Sequence, residues 1–197
     1  MKGLLIAFEG LDQSGKQTQA ERLKAAVEAR RRFARVLDFP DYDTRIGKEI
    51  EEALHGARDY APDVMQLLYV ANRYEAKPKI DRLKADGTVI ICDRYLASSI
   101  AYGEAHGLDG VWLREIQRYL PAPELTIFLD IAPETAAGRK TANRDKYERD
   151  LALLSRVRDS YRRQAQADGW LRLDGERGKD LVAADVVTAV APLLAQR

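Results

Sequence analysis

The sequence predicts an α/β protein in which one parallel β-sheet lies between two layers of helices. Two observations support this fold class. Short apolar runs that do not alternate with polar residues, and that Gly, Pro or charged residues bound, are typical of strands buried on both faces. Longer segments with helical periodicity separate these runs, and strands that alternate with helices pair in parallel through right-handed crossovers. We therefore expect one three-layer α/β/α domain spanning residues 1–197.

The elements follow in chain order. The apolar runs predict strands at Leu4–Phe8, Ala34–Leu37, Thr88–Cys92, Leu125–Leu129 and Trp170–Leu173. Periodicity predicts helices at Gln19–Arg30, Asp63–Ala85, Ala152–Gln166 and Leu181–Leu194. In the first of these helices, for example, Leu23, Ala26 and Val27 fall on one face. Neither internal repeats nor low-complexity linkers interrupt this order.

A glycine-rich loop joins the first predicted strand to the first predicted helix. Its residues are Gly10, Leu11, Asp12, Gln13, Ser14, Gly15, Lys16, Gln17 and Thr18. A strand, a G-x-x-x-x-G-K loop and a helix build a phosphate-binding loop, whose backbone N–H groups and helix dipole attract anions. Lys16 would reach the outer phosphates as a point charge. The motif predicts a P-loop NTPase fold that binds a nucleotide, and a plain glycine turn is the alternative.

The loop departs from the usual motif at its last position, where a Ser or Thr hydroxyl normally ligates Mg²⁺. This chain carries Gln17 there. The Thr18 hydroxyl lies about 100° further around the helix, so it cannot simply take over. We expect Gln17 to coordinate through its side-chain carbonyl or a bound water. Asp93, at the end of the third predicted strand, would orient metal waters beside the phosphates.

Polar segments follow other predicted strands at the carboxyl edge of the sheet, where such proteins bind ligands. They are Phe39-Pro40-Asp41-Tyr42, Asp93-Arg94-Tyr95 and Asp130-Ile131-Ala132-Pro133. Arg94 suits a bidentate contact to phosphate. Because a loop that only cradles phosphate would avoid a carboxylate, Asp12 should have a partner such as a substrate hydroxyl, the metal or an arginine.

A polar, basic segment at about 138–147 contains Arg139 and Arg144. Between two helices it would close over phosphates as a lid, exclude water and add cations to a phosphoryl-transfer transition state. An ordinary solvated loop is the alternative.

The second long helix places Tyr69 and Arg73 on one face, four residues apart. An aromatic plane and a guanidinium so arranged can stack on a nucleobase and donate to its carbonyl. A core-edge aromatic and a surface ion pair are the alternative interpretation.

Composition excludes several other classes of protein. With 32 basic and 31 acidic residues, no global field attracts nucleic acid or membranes. The single cysteine, Cys92, excludes a disulfide framework and fits a reducing compartment. The two histidines lack metal-ligand spacing, and no apolar run approaches the length of a membrane span. We expect a soluble, cytoplasmic protein whose partners are small molecules.

Taken together, the motifs resemble those of thymidylate kinases in order and spacing, from about residue 3 to residue 175. They are Phe8-Glu9-Gly10-Leu11-Asp12 with the loop, Phe39-Pro40, Leu68-Tyr69-Val70-Ala71-Asn72-Arg73, Asp93-Arg94-Tyr95, Ser98-Ser99 with Tyr102, Leu120-Pro121-Ala122-Pro123-Glu124-Leu125 and Tyr147-Glu148. The resemblance implies γ-phosphoryl transfer from ATP to dTMP, giving dTDP, with Mg²⁺. It also implies a five-stranded parallel sheet and a homodimer.

The resemblance further implies how the acceptor is held. Tyr69 would stack on thymine, and Arg73 would donate to its O4, which rejects the amine of cytosine. Ser98 and Ser99 would contact the N3 side of the base. Tyr102 would crowd the sugar 2′ position and disfavour a ribose hydroxyl.

The implied phosphate side involves other residues. Asp12 would accept the 3′-OH, Arg94 would bridge the acceptor phosphate and the transferring group, and Tyr42 would hydrogen-bond the acceptor phosphate. Phe39-Pro40, which also lines the implied site, is often a cis peptide in the family. The candidate catalytic residues are Asp12, Lys16, Arg94, Arg139 and Arg144.

The chain departs from the family pattern in two places. Gln17 replaces the metal-ligating hydroxyl, and Asp41 with Tyr42 stands where relatives often carry an arginine for the acceptor phosphate. The loop has Gln13 where some relatives place a catalytic arginine, so the chain resembles the type that supplies it from the lid.

Three alternatives stay open at this point. The nearest is another P-loop nucleoside or nucleotide kinase with a different pyrimidine acceptor. A guanine-specific switch protein would need an N-K-x-D segment, and Asn143-Arg144-Asp145-Lys146 has the wrong spacing. A degenerate module that binds ATP without transferring phosphate is favoured only by Gln17.

Overall fold

A five-stranded parallel sheet forms the centre of the molecule, in the order β2-β3-β1-β4-β5. The computed structural model describes residues 2–139 and 150–195. The strands are β1 (Leu4–Glu9), β2 (Ala34–Asp38), β3 (Val89–Asp93), β4 (Leu125–Asp130) and β5 (Leu171–Asp174). The sequence prediction of a parallel α/β fold with five strands is therefore confirmed.

Each of the five strands runs one residue further than predicted and ends on a carboxylate at the same edge of the sheet. These acidic residues are Glu9, Asp38, Asp93, Asp130 and Asp174. An apolar run ends before the first charged residue, whereas the hydrogen bonding between strands continues through that residue. The carboxyl edge, where ligands bind in such sheets, is thus lined by acidic groups.

The helices are α1 (Lys16–Glu28), α2 (Arg45–Leu54), α3 (Pro62–Ala85), α4 (Leu96–Ala105), α5 (Gly110–Glu115), α6 (Pro133–Arg139), α7 (Leu151–Ala167) and α8 (Lys179–Ala195). The four helices predicted from periodicity correspond to α1, α3, α7 and α8, with ends that differ by a few residues. None of the helices in the two described stretches is both long and apolar enough to cross a membrane.

The sheet is covered on both faces, which explains its uninterrupted apolar strands. Leu4, Ile6 and Phe8 of β1 pack against α1 and α8, whereas Leu5 and Ala7 face the side that α3 covers. Helices α4 and α7 pack together over the same side of the sheet, against β4. Alternate residues of one strand therefore enter two different cores.

Periodicity did not identify α4, because this helix is buried almost all round. Most of its residues are inaccessible to solvent, including its serines Ser98 and Ser99. A helix without a polar face has no amphipathic stripe to reveal it. The helix α6 was likewise missed; it contains Gly138 and Arg139, so the first two residues of the proposed lid are helical. Residues 140–147, with Arg144, lie outside the described residues.

Asp130 ties β4 to β5 and α7. Its carboxylate accepts hydrogen bonds from Arg158 Nε at 2.6 Å, Arg162 Nε at 2.9 Å and Arg172 Nη2 at 2.5 Å. Burial would raise the pKa of this carboxyl, but the hydrogen bonds from the three guanidinium groups outweigh it and hold the pKa below its usual range. The side chain of Asp130 is only 5% exposed, so this charge depends on its partners.

Candidate active site

The glycine loop folds tightly between β1 and α1. Gly10 has φ 142°, and a Cβ there would lie 2.5 Å from the carbonyl oxygen of Leu129. Gly15 has φ 96° at the N-cap of α1. Both positions therefore require glycine, the first because of a close approach to β4 and the second because of its left-handed conformation. The first turn of α1 consequently points its free N–H groups into the loop.

Lys16 lies at the centre of this loop and is almost fully buried. Its ammonium group donates to the carbonyl of Leu11 at 2.9 Å and lies 4.0 Å from Asp93 Oδ1. Burial lowers the pKa of Lys16, with Arg94 adding to the effect and Asp93 and Asp12 opposing it. The structure thus brings the loop lysine and the carboxylate at the end of β3 to one place.

Twelve side chains line a pocket beside the loop. They include all of the residues that the sequence analysis assigned to the acceptor. The lining is Asp12, Phe39, Pro40, Tyr42, Leu54, Gln66, Tyr69, Arg73, Arg94, Ser98, Ser99 and Tyr102.

Arg94 is the centre of the charged end of this pocket. It sits in the turn between β3 and α4 with φ 64°. Its Nη2 donates to Asp12 Oδ1 at 2.7 Å, and its Nη1 donates to the carbonyl of Gly10 at 3.0 Å. The guanidinium also lies over the ring of Tyr102, 5.4 Å from its centroid. Arg94 therefore faces both the glycine loop and the pocket.

Asp12, the carboxylate in this loop, has the arginine partner that the sequence analysis required, because Arg94 donates to its Oδ1. Tyr102 donates to its second oxygen at 3.2 Å. Burial would raise the pKa of Asp12, but the charges of Arg94 and Lys16 and these hydrogen bonds lower it far below its usual range. The carboxylate is ionised and retains lone pairs that can accept from a further hydroxyl.

The other end of the pocket is formed by one face of α3. Gln66, Tyr69 and Arg73 follow each other at helical spacing and all line the cavity. Arg73 is 3% exposed, and its Nη1 donates to Ser99 Oγ at 2.7 Å. Burial lowers the pKa of Arg73, while Glu9 is the main group that opposes the effect. A buried guanidinium beside an aromatic ring gives this end a donor for a flat ligand.

The third wall comes from the loop after β2. The Phe39–Pro40 peptide bond is cis, as the resemblance implies. The backbone of Asp41 pairs with the side chain of Asn72 on α3, with N–H to Oδ1 at 2.8 Å and Nδ2 to the carbonyl at 3.1 Å. These two hydrogen bonds fix the loop that carries Pro40 and Tyr42 against the helix that carries Tyr69.

The side chains beside the glycine loop fit Mg²⁺ better than a metal whose ligands all come from protein side chains. Within residues 2–139 and 150–195, no group of three or more His, Cys, Asp or Glu side chains could hold a metal ion. Magnesium commonly uses one or two protein carboxylates together with phosphate oxygens and water. Asp93 provides such a carboxylate beside Lys16, and Gln17 is exposed in the first turn of α1.

Arg139 reaches the glycine loop from the end of α6. Its Nη1 donates to the carbonyl of Gln13 at 2.9 Å, and its Nη2 donates to the carbonyl of Gly175 at 3.1 Å. The side chain therefore bridges the loop to the segment after β5. The structure therefore places one of the two predicted lid arginines against the glycine loop.

Comparison with known proteins identifies the family. A family model described as thymidylate kinase matches residues 8–186. The chain belongs to the thymidylate kinase family. It is 34% identical to the thymidylate kinase of Schizosaccharomyces pombe over 195 residues, covering 96% of this chain and 92% of the relative. It is 36% identical to that of Caenorhabditis elegans over 184 residues, covering 85% of this chain and 84% of the relative.

A solved structure agrees with this assignment. The thymidylate kinase of Candida albicans superimposes with a TM-score of 0.86 at 30% sequence identity. The superposition covers 97% of this chain and 92% of the Candida albicans chain. The resemblance to thymidylate kinases found in the sequence is therefore confirmed, and another family of P-loop proteins is not favoured.

Sequence reasoning missed four residues of this site. Leu54 and Gln66 line the pocket, and Glu9 and Tyr161 bond to the side chains around Arg94. Gln66 was detectable, since it lies three residues before Tyr69 on the same face of α3. Leu54 belongs to α2, which periodicity did not identify, and Tyr161 lies in a helix that is distant in sequence.

Proposed function

We propose that this protein transfers the γ-phosphoryl group of ATP to dTMP, giving dTDP and ADP. One observation carries the proposal beyond family membership. A single pocket, directly beside a phosphate-binding loop, combines an arginine facing that loop with an aromatic side chain and a buried guanidinium at its far end. A nucleoside monophosphate has the same two parts, a phosphate and a flat base.

On the donor side, the loop residues Gly10 to Thr18 hold the ATP phosphates with backbone N–H groups. Lys16 supports this role because its buried ammonium needs only to leave the carbonyl of Leu11 to meet a phosphate oxygen. Gln17 and Asp93 hold Mg²⁺, directly or through water. When bound, the metal neutralises charge on the β- and γ-phosphates.

On the acceptor side, Arg94 binds the acceptor phosphate and the transferring group, with Tyr42 as a further phosphate contact. Arg94 faces the loop and the pocket together, which supports this role. Asp12 accepts the 3′-OH, and its hydrogen bond from Tyr102 brings that ring to the sugar, where it disfavours a 2′-hydroxyl.

The base lies between the Phe39–Pro40 segment and α3. Tyr69 stacks on thymine, and Arg73 donates to O4, with Ser98 and Ser99 on the N3 side. The buried position of Arg73 supports base discrimination, because cytosine would place a donor against a donor with no water to compensate. Such a mismatch is costly when both groups are desolvated.

Phosphoryl transfer needs cations on the transferring oxygens more than it needs covalent chemistry. Arg94 supplies one from the acceptor side. Arg139, which already touches the loop at Gln13, and Arg144 supply others from the donor side. In this proposal both lid arginines act on the transition state and not on acceptor binding.

The test is an acceptor panel with ATP and Mg²⁺. ADP release is measured with dTMP, dUMP, dCMP and thymidine at matched concentrations. We expect dTMP to give the highest kcat/KM and thymidine, which lacks the phosphate that Arg94 binds, to give no turnover above background. A higher kcat/KM with dCMP would favour another pyrimidine nucleotide kinase, and ATP binding without ADP release would favour a degenerate module.

The homodimer that the resemblance implies and the cytoplasmic location expected from the composition are part of the same proposal. Val64 and Leu67 of α3 are large apolar side chains that are 38% and 47% exposed. A second copy of the chain would cover them. Light scattering on the purified protein should give twice the chain mass of 22.2 kDa, and the single chain mass would contradict the dimer.

A further inference from the structure

We propose that Glu9 and Tyr161 are positioning residues that hold Arg94 in place for phosphoryl transfer. The inference rests on the proposed function, because it concerns the guanidinium that would bind the acceptor phosphate. Neither residue lines the acceptor pocket among the side chains described there. Both are fully buried behind it, Glu9 at the end of β1 and Tyr161 in the middle of α7.

Two hydroxyl groups connect these residues to Arg94. Arg94 Nη1 donates to Ser98 Oγ and to the Tyr161 hydroxyl, both at 3.2 Å. The same two hydroxyls lie 2.8 Å apart. Ser98 and Tyr161 therefore contact Arg94 on one side, and Asp12 contacts it on the opposite side.

Glu9 determines which way these hydroxyls point. Its Oε2 accepts from Ser98 Oγ at 2.7 Å and from the Tyr161 hydroxyl at 3.2 Å. A carboxylate has no hydrogen to donate, so it keeps the Ser98 hydrogen directed towards itself, and the Tyr161 hydrogen points either to Glu9 or to Ser98 Oγ. The lone pairs of both oxygen atoms are then left for Arg94, which can only donate.

The second oxygen of Glu9 is also committed. Its Oε1 accepts from the backbone N–H of Tyr95, the residue after Arg94, at 2.9 Å. The carboxylate therefore fixes both the side-chain partners and the adjacent backbone of Arg94, whose φ of 64° is rare for a residue with a side chain. An amide at position 9 cannot accept on both sides: with its oxygen on the Tyr95 N–H, its NH₂ group would face the two hydroxyls and reverse their direction.

The central experiment compares Tyr161→Phe with Tyr95→Phe. Both substitutions remove one hydroxyl from a fully buried tyrosine. The Tyr161 hydroxyl accepts from Arg94, whereas the buried Tyr95 hydroxyl finds no hydrogen-bond partner in the described parts of the chain. Steady-state rates are measured with dTMP and ATP, and melting temperatures are recorded for both variants.

We expect Tyr161→Phe to lower kcat/KM for dTMP by about tenfold, the loss typical of one hydrogen bond to a charged group. The KM for ATP should stay within about twofold, since the donor loop keeps its own contacts. Tyr95→Phe should match the parent protein. Equal losses in both variants, or a Tyr161→Phe variant with parental kcat/KM, would overturn the inference.

Two further variants separate positioning from a general loss of stability. In an Arg94→Ala background, Tyr161→Phe should have no additional effect on turnover or on dTMP affinity by calorimetry, because the group that it positions is gone. A full tenfold loss in that background would show that Tyr161 acts elsewhere.

The Glu9→Gln substitution should lower kcat/KM for dTMP more than Tyr161→Phe does, because it reverses the direction of both hydroxyls. A smaller decrease in kcat/KM than that of Tyr161→Phe would contradict the role of Glu9 as the orienting group.

Failure of the proposed function and failure of the positioning role give different results. If the parent protein fails to phosphorylate dTMP, the proposed function is wrong. If the parent protein is active and the Tyr161→Phe variant is equally active, only the positioning role fails.

Discussion

Replacing Arg73 by methionine tests whether this side chain determines which base the pocket binds. Methionine is unbranched and apolar, ends near the position of the arginine Nε and has no hydrogen-bond donor. Arg73 is 3% exposed, and its Nη1 donates to Ser99 Oγ at 2.7 Å and to Gln117 Oε1 at 3.4 Å. The substitution therefore removes the proposed donor to thymine O4.

The size of the effect follows from the burial of this guanidinium. A hydrogen bond to a charged group contributes about 1.5–3 kcal/mol, and about 1.4 kcal/mol corresponds to a factor of ten. We expect kcat/KM for dTMP to fall by about 10- to 150-fold. Stability should change little, because an apolar side chain removes the desolvation cost that lowers the pKa of Arg73.

The assay measures kcat and KM for dTMP and dCMP in the parent protein and the Arg73→Met variant. The ratio of kcat/KM for dTMP to kcat/KM for dCMP should shrink in the variant, since the donor proposed to reject cytosine is gone. Arg82→Met, an exposed change in the last turn of the same helix, serves as the control. A folded Arg73→Met variant with the parental kcat/KM for dTMP, or with an unchanged ratio of kcat/KM between dTMP and dCMP, would refute the role proposed for Arg73.

Three other predictions concern the metal, the lid and the sheet edge. Gln17→Ser should shift the Mg²⁺ concentration that gives half-maximal rate, and an unchanged Mg²⁺ titration would show that Gln17 is not a ligand. Arg139→Ala should lower kcat by about 10²-fold with little change in dTMP affinity, as expected for a cation that acts on the transition state; an unaltered kcat would remove Arg139 from that role. Asp130→Asn should lower the free energy of unfolding by about 2 kcal/mol at pH 7, because three arginines lose a buried counter-charge that solvent only partly replaces. Since the pKa of Asp130 is lowered in the fold, its contribution is complete above the unfolded value of about 3.9 and is lost as the pH falls through the folded pKa. Denaturant unfolding should therefore show parent and variant converging below about pH 4, and a constant difference down to pH 2 would contradict the assignment.

The sheet was well predicted because each strand can be recognised from the residues of its own segment. The strands are covered on both faces, so each appears as an unbroken apolar run, and a loop with Gly10, Gly15 and Lys16 can follow only a limited set of backbone paths. The order of the strands in the sheet was not predicted, because apolar runs do not show which strands are neighbours. The helix α4 shows the limit of periodicity, since a helix buried on nearly all sides has no polar face to detect.

The site was harder to predict, because much of it depends on contacts between distant segments. Tyr161 lies 67 residues from Arg94, and Glu9 lies 89 residues from Ser98. Nothing in the local sequence around Tyr161 distinguishes it from a core aromatic of α7, where it stacks on Phe128. The residues of the proposed acceptor pocket could be grouped only because the family motifs indicated which distant segments come together, which spacing alone does not show.

Transfer of label from γ-labelled ATP tests the central claim most directly. The protein is incubated with γ-³²P-ATP, Mg²⁺ and dTMP, and the labelled products are separated by chromatography. The account predicts that the label appears in dTDP, in proportion to the ADP formed. Label released only as inorganic phosphate, or retained in ATP while dTMP stays bound, would contradict it.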